Sequence, residues 1–480
     1  MYVNGYKYAS DGGRYLKVLP ERTVMASNLK VQRLDITDTP QELFIKVQEQ
    51  CENAFLLESS TGIERLADYS FIGYDPAMKI EANASRVLVQ DLEKDTVDEI
   101  YAPDPLHIIK KIVQSNMFAS PFRFGGGAVG YIGYDSVRYW EKLSSGKKPH
   151  SGFPTMEFGV YLDGVVFDHK RGLKFYWHLG KSRYNELIRI LKLDAVKGAV
   201  RFSKPQRSVT KARFGDMVER AKDYILAGDV FQVVLSKRFE FDYEGDLVRF
   251  YSELSRINPS PYMYFLKFGR RRVVGSSPEM LVRVDEGRVE TFPIAGTRPK
   301  LKDPERNEIL KRDLLGDPKE MAEHTMLVDL ARNDIGKVST YGTVAVPSFA
   351  SVHQFSHVQH IVSHVTGVLR RGLDSYDVIG AVFPAGTVSG APKVRAMEII
   401  DELEPDNREV YAGAVGYFSF NGNADFAIAI RTLLANGERC SVQAGAGIVA
   451  DSQADREWNE TEAKAAALLK SARQAEAGNR

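Results

Sequence analysis

The second half of this chain keeps switching its hydrophobic period. FGDMVERAKDYILAGD is helical and stops at Gly228. Around and beyond it run short segments rich in Val, Ile, Thr and aromatics: VVLSKRFEF, YMYFLKF, MLVRV, TVAVPSF, VQHIVSHVTGVL, AVGYFSF, FAIAIRTLL and SVQAGAGIVA. A helix buries one stripe at a period of 3.6 and a strand one face at a period of 2. Alternation of the two predicts sheets covered by helices, an α/β or α+β body.

The first half reads similarly. QELFIKVQEQ predicts a helix entered through Asp38 and Thr39, and AFLLES, YSFIGYDP and SRVLVQDL predict strands. DPLHIIKKIVQSNM predicts an amphipathic helix on Leu106, Ile109 and Val113, and VYLDGVVFDHKRGLKFYWHL a hairpin turning near His169 to Gly172. The best boundary candidate is 194–213, basic and without a long apolar pattern, which divides the chain into regions 1–205 and 206–480.

Charge narrows the function. Lysine and arginine number 64 against 63 aspartates and glutamates, a formal net charge of +1, which argues against electrostatic binding of nucleic acid or membranes. Two cysteines, Cys51 and Cys440, exclude a disulfide framework. The start, MYVNGYKYASDGG, has no apolar signal region, and the chain has no run of about 18 apolar residues. The expectation is a soluble cytoplasmic protein.

Three motif-like signals lack their context. Gly125, Gly127 and Gly130 fit GxGxxG, but strand-like AVGYIGY follows where a dinucleotide site needs a helix, so close packing in a sheet is expected. GTVSGAPK has three residues between its glycines where a phosphate loop needs four, and Val394 follows Lys393. His353, His357, His360 and His364 have helical metal-site spacing, but VQHIVSHV is β-branched. On a strand His360 and His364 share one face and His357 points the other way.

The chemistry lies in paired carboxylates. DPKEMAEHTMLVDLARND predicts a helix with Asp317 as N-cap and Pro318 first; Glu320 and Glu323 stand at i, i+3. DREWNETEAKAAALLKSA repeats the spacing with Glu457 and Glu460, and places Lys464 at i+4 from Glu460. Two such pairs could hold a hard cation such as Mg²⁺, or could simply cap and be solvated. Thr387, Lys393, Tyr411, Arg431 and Lys464 lie near Gly-rich turns and suit a small polyanion. The residues alone point to Mg²⁺-assisted lyase or transferase chemistry.

These segments resemble a known family. PIAGTRP (293–299), EHTMLVDLARND (323–334), FPAGTVSGAPKVRAMEIIDELEP (383–405), YAGAVGYF (411–418), AIAIRT (427–432), VQAGAGIVADS (442–452) and EWNETEAKA (457–465) resemble the chorismate-utilising enzymes. LLES (56–59), YSFIGYDP (69–76) and GGAVGYIGYD (126–135) resemble their anthranilate synthase branch in particular. The resemblance implies two packed, antiparallel-rich sheets flanked by helices, with the two regions interleaved. It implies conversion of chorismate and ammonia, through aminodeoxyisochorismate, to anthranilate and pyruvate for tryptophan synthesis. It also implies a Mg²⁺ requirement and a glutamine amidotransferase partner in an assembly of two large and two small chains. Neither cysteine sits in a Gly-flanked nucleophile elbow, so ammonia comes from elsewhere.

Carried over residue by residue, the resemblance makes Glu320, Glu323, Glu457 and Glu460 the metal carboxylates. Glu279 becomes the acid that protonates the departing C4 hydroxyl, beside His360 and Thr387. Gly296, Thr297, Tyr411, Arg431, Gly445, Gly447 and Lys464 become the substrate pocket. Relatives that add water at C2 carry a lysine base where this chain has Gln232. Relatives on the folate route carry an attacking lysine where it has Ala295. Lys300-Leu301 departs from the Arg-Gly that often follows GTRP in the family. Leu57, Glu58 and Ser59, with Asn258, Pro259, Pro261 and Met263, match a tryptophan feedback site; read alone they are a strand and a Pro-fixed turn. Alternative readings are an aminodeoxychorismate synthase and a tryptophan-binding module without catalysis.

Overall fold

A computed structural model of the chain describes residues 29–59, 68–114, 117–143, 152–355 and 358–478, and the backbone of 2–3, 6–11 and 14–17. Among these residues two large antiparallel sheets dominate. The first runs in the order Ile294–Pro299, Val358–Val368, Arg288–Thr291, Met280–Asp285, Ala424–Ile428, Ala414–Ser419, Gly127–Ile132, Met156–Tyr161, Met78–Asn83, Arg86–Asp91 and Thr96–Tyr101. The second runs Val200–Phe202, Gln232–Gly245, Arg439–Ile448, Thr432–Asn436, Arg271–Ser277, Tyr262–Phe268, Asn53–Glu58, Tyr69–Tyr74, Asp163–Asp168, Leu173–His178 and Lys30–Leu34. Both take strands from either side of residue 205. The 194–213 segment contributes Val200–Phe202 and Gln206–Arg207, which pair with Gln232–Gly245.

Strand alternation sorts the core into layers. Phe55, Phe71, Trp177 and Tyr264 of the second sheet meet Tyr131, Tyr161, Val415 and Tyr417 of the first in one buried aromatic layer between the sheets. On the outer face of the second sheet, Ala54, Leu56, Val274 and Val442 pack on helices Pro40–Gln50, Leu247–Ile257 and Ala454–Ala477. On that of the first, Ile80, Val282 and Phe418 pack on Leu106–Gln114, Pro318–Gly336 and Ser375–Val382. The architecture is helix, sheet, sheet, helix.

Local expectations meet the structure closely. Thr39 caps Pro40–Gln50 in a reciprocal capping box with Glu42. The GxGxxG glycines lie at or beside strand Gly127–Ile132, and a Cβ at Gly130 would stand 2.0 Å from the Glu157 carbonyl oxygen. The glycines therefore permit close sheet packing, as expected. The histidine segment is strand Val358–Val368. His357 lies outside the described residues, and no metal-competent cluster of three His, Cys, Asp or Glu occurs among those described. Both cysteines are free and buried. No described helix is long and apolar enough to cross a membrane.

Candidate active site

The helices carrying the carboxylate pairs converge on a cleft of about 510 Å³. Helix Pro318–Gly336 supplies Glu323, and helix Ala454–Ala477 supplies Glu457, Glu460 and Lys464. Strands contribute Gln232, Gly296, Thr297, His360, Gly445 and Gly447, while turns and a short helix bring Glu279, Tyr411, Arg431 and Thr387. Residues 200 and more positions apart thus share one wall.

Glycine is required where backbone and side chain approach. A Cβ at Gly447 would stand 2.4 Å from Gln232 Nε2, and one at Gly445 2.8 Å from Tyr411 Oη. Lys464 donates to the Gly445 carbonyl at 2.9 Å and pairs with Glu460 at 2.7 Å. Arg431 holds a left-handed backbone, φ 49°, and its Nη1 donates to Asn258 Oδ1 at 3.3 Å. Behind Tyr411, buried Arg408 stacks 5.7 Å from its ring centre and bonds Glu404, so the ring has a fixed backing.

The titratable groups are displaced from their ordinary behaviour. Burial pushes Glu279 up to about 7, against the opposing pull of Thr387, Lys464 and Arg431. The Thr387 hydroxyl is itself buried and makes no well-formed hydrogen bond, although it lies close enough to favour the Glu279 carboxylate. Burial, with Arg431 adding to it and the Gly296 carbonyl opposing, lowers the His360 pKa and favours the neutral imidazole. Its Nδ1 stands 2.7 Å from the Gly296 carbonyl oxygen, which can only accept. The proton is therefore on Nδ1, and Nε2 keeps its lone pair.

Glu323, Glu457 and Glu460 line the cleft without closing into a three-ligand cage, and Glu460 bears on both of the others. Burial raises Glu323, and Glu320 and Glu460 raise it further, against Gln232, whose Nε2 is 3.5 Å away, and Lys464. Burial also raises Glu457, with Glu460 adding to it and Ser452 opposing. Such mutual repulsion is what a dication relieves. Magnesium keeps several waters and so needs no closed protein cage. Glu320 differs: it does not line the cleft, and Arg298 Nη1 holds it at 3.1 Å. Asp317 alone caps the helix, so Glu320 is neither a capping-box partner nor a cleft wall.

Other placements depart from the motif. Lys393 is drawn away from the cleft, donating to Asp334 at 2.6 Å and to the Val382 carbonyl at 2.8 Å. Sequence reasoning passed over Lys319, Gln443, Ser452 and Arg456, all of which line the cleft. Gln443 was accessible: on a strand it shares a face with Gly445 and Gly447.

The tryptophan-site motif gathers in part. Glu58 stands opposite Met263 on adjacent strands. Leu57, Glu58, Ser59 and Met263 line a cavity of about 40 Å³, with Tyr262, Arg123 and Asp425. Asn258, Pro259 and Pro261 do not line it. Tyr251 Oη donates to Glu58 at 2.7 Å, while burial raises the Glu58 pKa.

This cleft, built on two covered antiparallel sheets, places the chain among chorismate binding enzymes: the family model matches residues 52–470, and the chain belongs to that family. Within it, the chain is 48% identical over 434 residues to anthranilate synthase component 1 of Methanothermobacter marburgensis, covering 90% of this chain and 92% of the relative. It is 44% identical to the component 1 of Aquifex aeolicus, with 90% and 92% covered. The crystal structure of anthranilate synthase component I from Streptococcus pneumoniae superposes with a TM-score of 0.76 at 39% identity, covering 85% of this chain and 93% of that one.

Proposed function

We propose that this chain converts chorismate and ammonia to anthranilate and pyruvate, the reaction named by its component 1 relatives. The observation that carries the reading is Glu279. It is a buried carboxyl with a pKa near 7, in one cleft with a carboxylate group and two cations, Arg431 and Lys464. A polyanionic substrate needs the cations. A departing hydroxyl needs an acid that is still protonated near neutrality.

Arg431, Tyr411 and Lys464, with the Gly445–Gly447 backbone, bind the substrate carboxylates. Glu279 delivers its proton to the C4 hydroxyl, which leaves as water while ammonia adds at C2. Gln232 cannot act as a base, and Ala295 offers no nucleophile, so ammonia itself is the attacking group. His360, neutral with Nε2 open, takes a proton in the elimination that releases pyruvate; Thr387 and the Gly296–Thr297 turn hold the ring. Glu323, Glu457 and Glu460, with Glu320 behind them, would hold Mg²⁺. When bound, it neutralises the ring carboxylate and the charge that develops on it.

A glutamine amidotransferase subunit supplies the ammonia, in a cytoplasmic assembly of two large and two small chains. Tryptophan inhibits through Leu57, Glu58, Ser59, Pro259, Pro261 and Met263, with Asn258 joining that region to Arg431. Residues 1–205 form the regulatory region, with tryptophan-binding elements that 258–263 complete, and 206–480 the chorismate-binding catalytic region. Anthranilate fluorescence from chorismate, Mg²⁺ and an ammonium salt tests the reading; chorismate left intact by the folded chain overturns it.

A further inference from the structure

Arg408 lies outside the cleft, yet it grips three of the cleft's walls. It is 2% exposed, and Glu404, its ion-pair partner four residues earlier, is 3% exposed. Arg408 Nε and Nη2 donate to the two Glu404 carboxylate oxygens at 2.9 and 2.7 Å. Nη1 donates to the Val388 carbonyl at 2.6 Å, and Nη2 donates also to the Val234 carbonyl at 2.7 Å. The ring centres of Tyr134 and Tyr411 stand 4.8 and 5.7 Å from its Cζ.

These contacts end on residues that face the substrate space. Val388 belongs to the short helix Gly386–Ser389 that carries Thr387, and both line the cleft. Val234 lines it beside Gly447, its partner on the neighbouring strand, and Tyr411 lines it from a turn. Glu404 extends the grip. Its Oε1 accepts from the Ser236 amide at 2.7 Å and from the Ser236 hydroxyl at 2.8 Å, and Ser236 pairs with Gly445. The hydroxyl, its proton spent on Glu404, accepts from Gln443 Nε2 at 2.8 Å. Neither Arg408 nor Glu404 lines the cleft itself.

A buried ion pair is weak evidence for stability, because desolvating two charges offsets most of their attraction. What a planar group with five donors supplies is geometry: fixed angles to several acceptors and a flat face for a ring. We infer that Arg408 and Glu404 are positioning residues for the reaction. The pair holds strand Gln232–Gly245, the Thr387 helix and the Tyr411 turn at fixed separations. The groups that bind the substrate carboxylate and those beside the departing hydroxyl then meet one molecule together. The inference rests on the chorismate reading of the cleft. Arg408→Lys keeps the charge, but it offers one nitrogen to Glu404, Val234 and Val388 and no flat face to Tyr411.

In the full chain assayed with chorismate, Mg²⁺ and ammonium, Arg408→Lys should lower kcat/KM about 10²-fold, the loss a misplacement near 1 Å can cause. A double-mutant cycle with Tyr411→Phe separates positioning from a role in stability alone. The Tyr411 hydroxyl matters less once its ring is misplaced. Tyr411→Phe should therefore raise the KM for chorismate about tenfold in the wild type and less than about threefold in Arg408→Lys. Equal ratios in the two backgrounds overturn the proposal. Glu404→Gln keeps the size and still accepts from Ser236, but turns an amide towards Arg408; it should show the same loss of coupling in milder form. Loss of a cooperative melting transition in both variants would assign the pair to folding alone and also overturn the proposal. A wild-type chain that leaves chorismate unconsumed would instead overturn the function proposed above, and this inference with it.

Discussion

Arg431 Nη1 lies 3.3 Å from Asn258 Oδ1, so a cleft arginine leans on the residue that ends helix Leu247–Ile257. The contact is embedded: Asn258 Nδ2 donates to Ser276 Oγ at 3.0 Å, and the Ser276 amide donates to the Arg431 carbonyl at 3.1 Å. About two turns earlier on the same helix, Tyr251 reaches Glu58. A single helix therefore touches the LLES segment at one point and the cleft arginine at its end.

Two substitutions separate those ends. Asn258→Ala should raise the KM for chorismate about fivefold, since hydrogen bonds to charged groups contribute about 1.5–3 kcal/mol and this one is long. It should also weaken inhibition by tryptophan. Tyr251→Phe should weaken inhibition and leave the KM alone. Steady-state kinetics with and without tryptophan measure both.

Glu279→Gln should lower kcat by about 10²–10⁴-fold, the usual range for a general acid. The same change should alter stability with pH. The folded Glu279 keeps its proton up to about pH 7, whereas the unfolded one loses it near 4.5. Its contribution is complete below pH 4.5 and is lost as the pH rises through 7. The variant should therefore melt above wild type at pH 8, by more than it does at pH 4.5, in paired thermal scans.

Glu323→Gln should abolish Mg²⁺-dependent turnover while the circular dichroism spectrum and melting transition stay cooperative. It removes a carboxylate that Glu320 and Glu460 already crowd, so the fold should not suffer. Near-normal rates would contradict the metal assignment.

Gly390 has φ 142°, and a Cβ there would meet the Gln232 carbonyl oxygen at 2.2 Å. Gly390→Ala must therefore push the start of strand Gln232–Gly245 out of place. Stability should fall by about 1–3 kcal/mol, as overpacking commonly costs, and chorismate binding should weaken with it. Denaturant titration beside KM measurement reads both effects.

Much of this was legible in the chain. Period switching gave the sheets and helices, and the i, i+3 spacing of Glu457 and Glu460 put both on one cleft wall. Propensity favoured the strand at VQHIVSHV over the helix its histidine spacing invited. What stayed hidden depended on distant partners. Nothing near Glu320 announces its ion pair with Arg298, and nothing near Lys393 announces Asp334. The strand order is also unreadable locally: Asn53–Glu58 lies beside Tyr262–Phe268, about 200 residues further on. The 194–213 segment looked like a linker because its strands are short and half exposed; their pairing comes from a strand that follows them.

The most direct test of the account is the product itself. The purified chain, given chorismate, Mg²⁺ and an ammonium salt at mildly alkaline pH, should generate anthranilate fluorescence with matching pyruvate. A non-aromatic amino product without pyruvate, or chorismate left unconsumed by a folded chain, would contradict it.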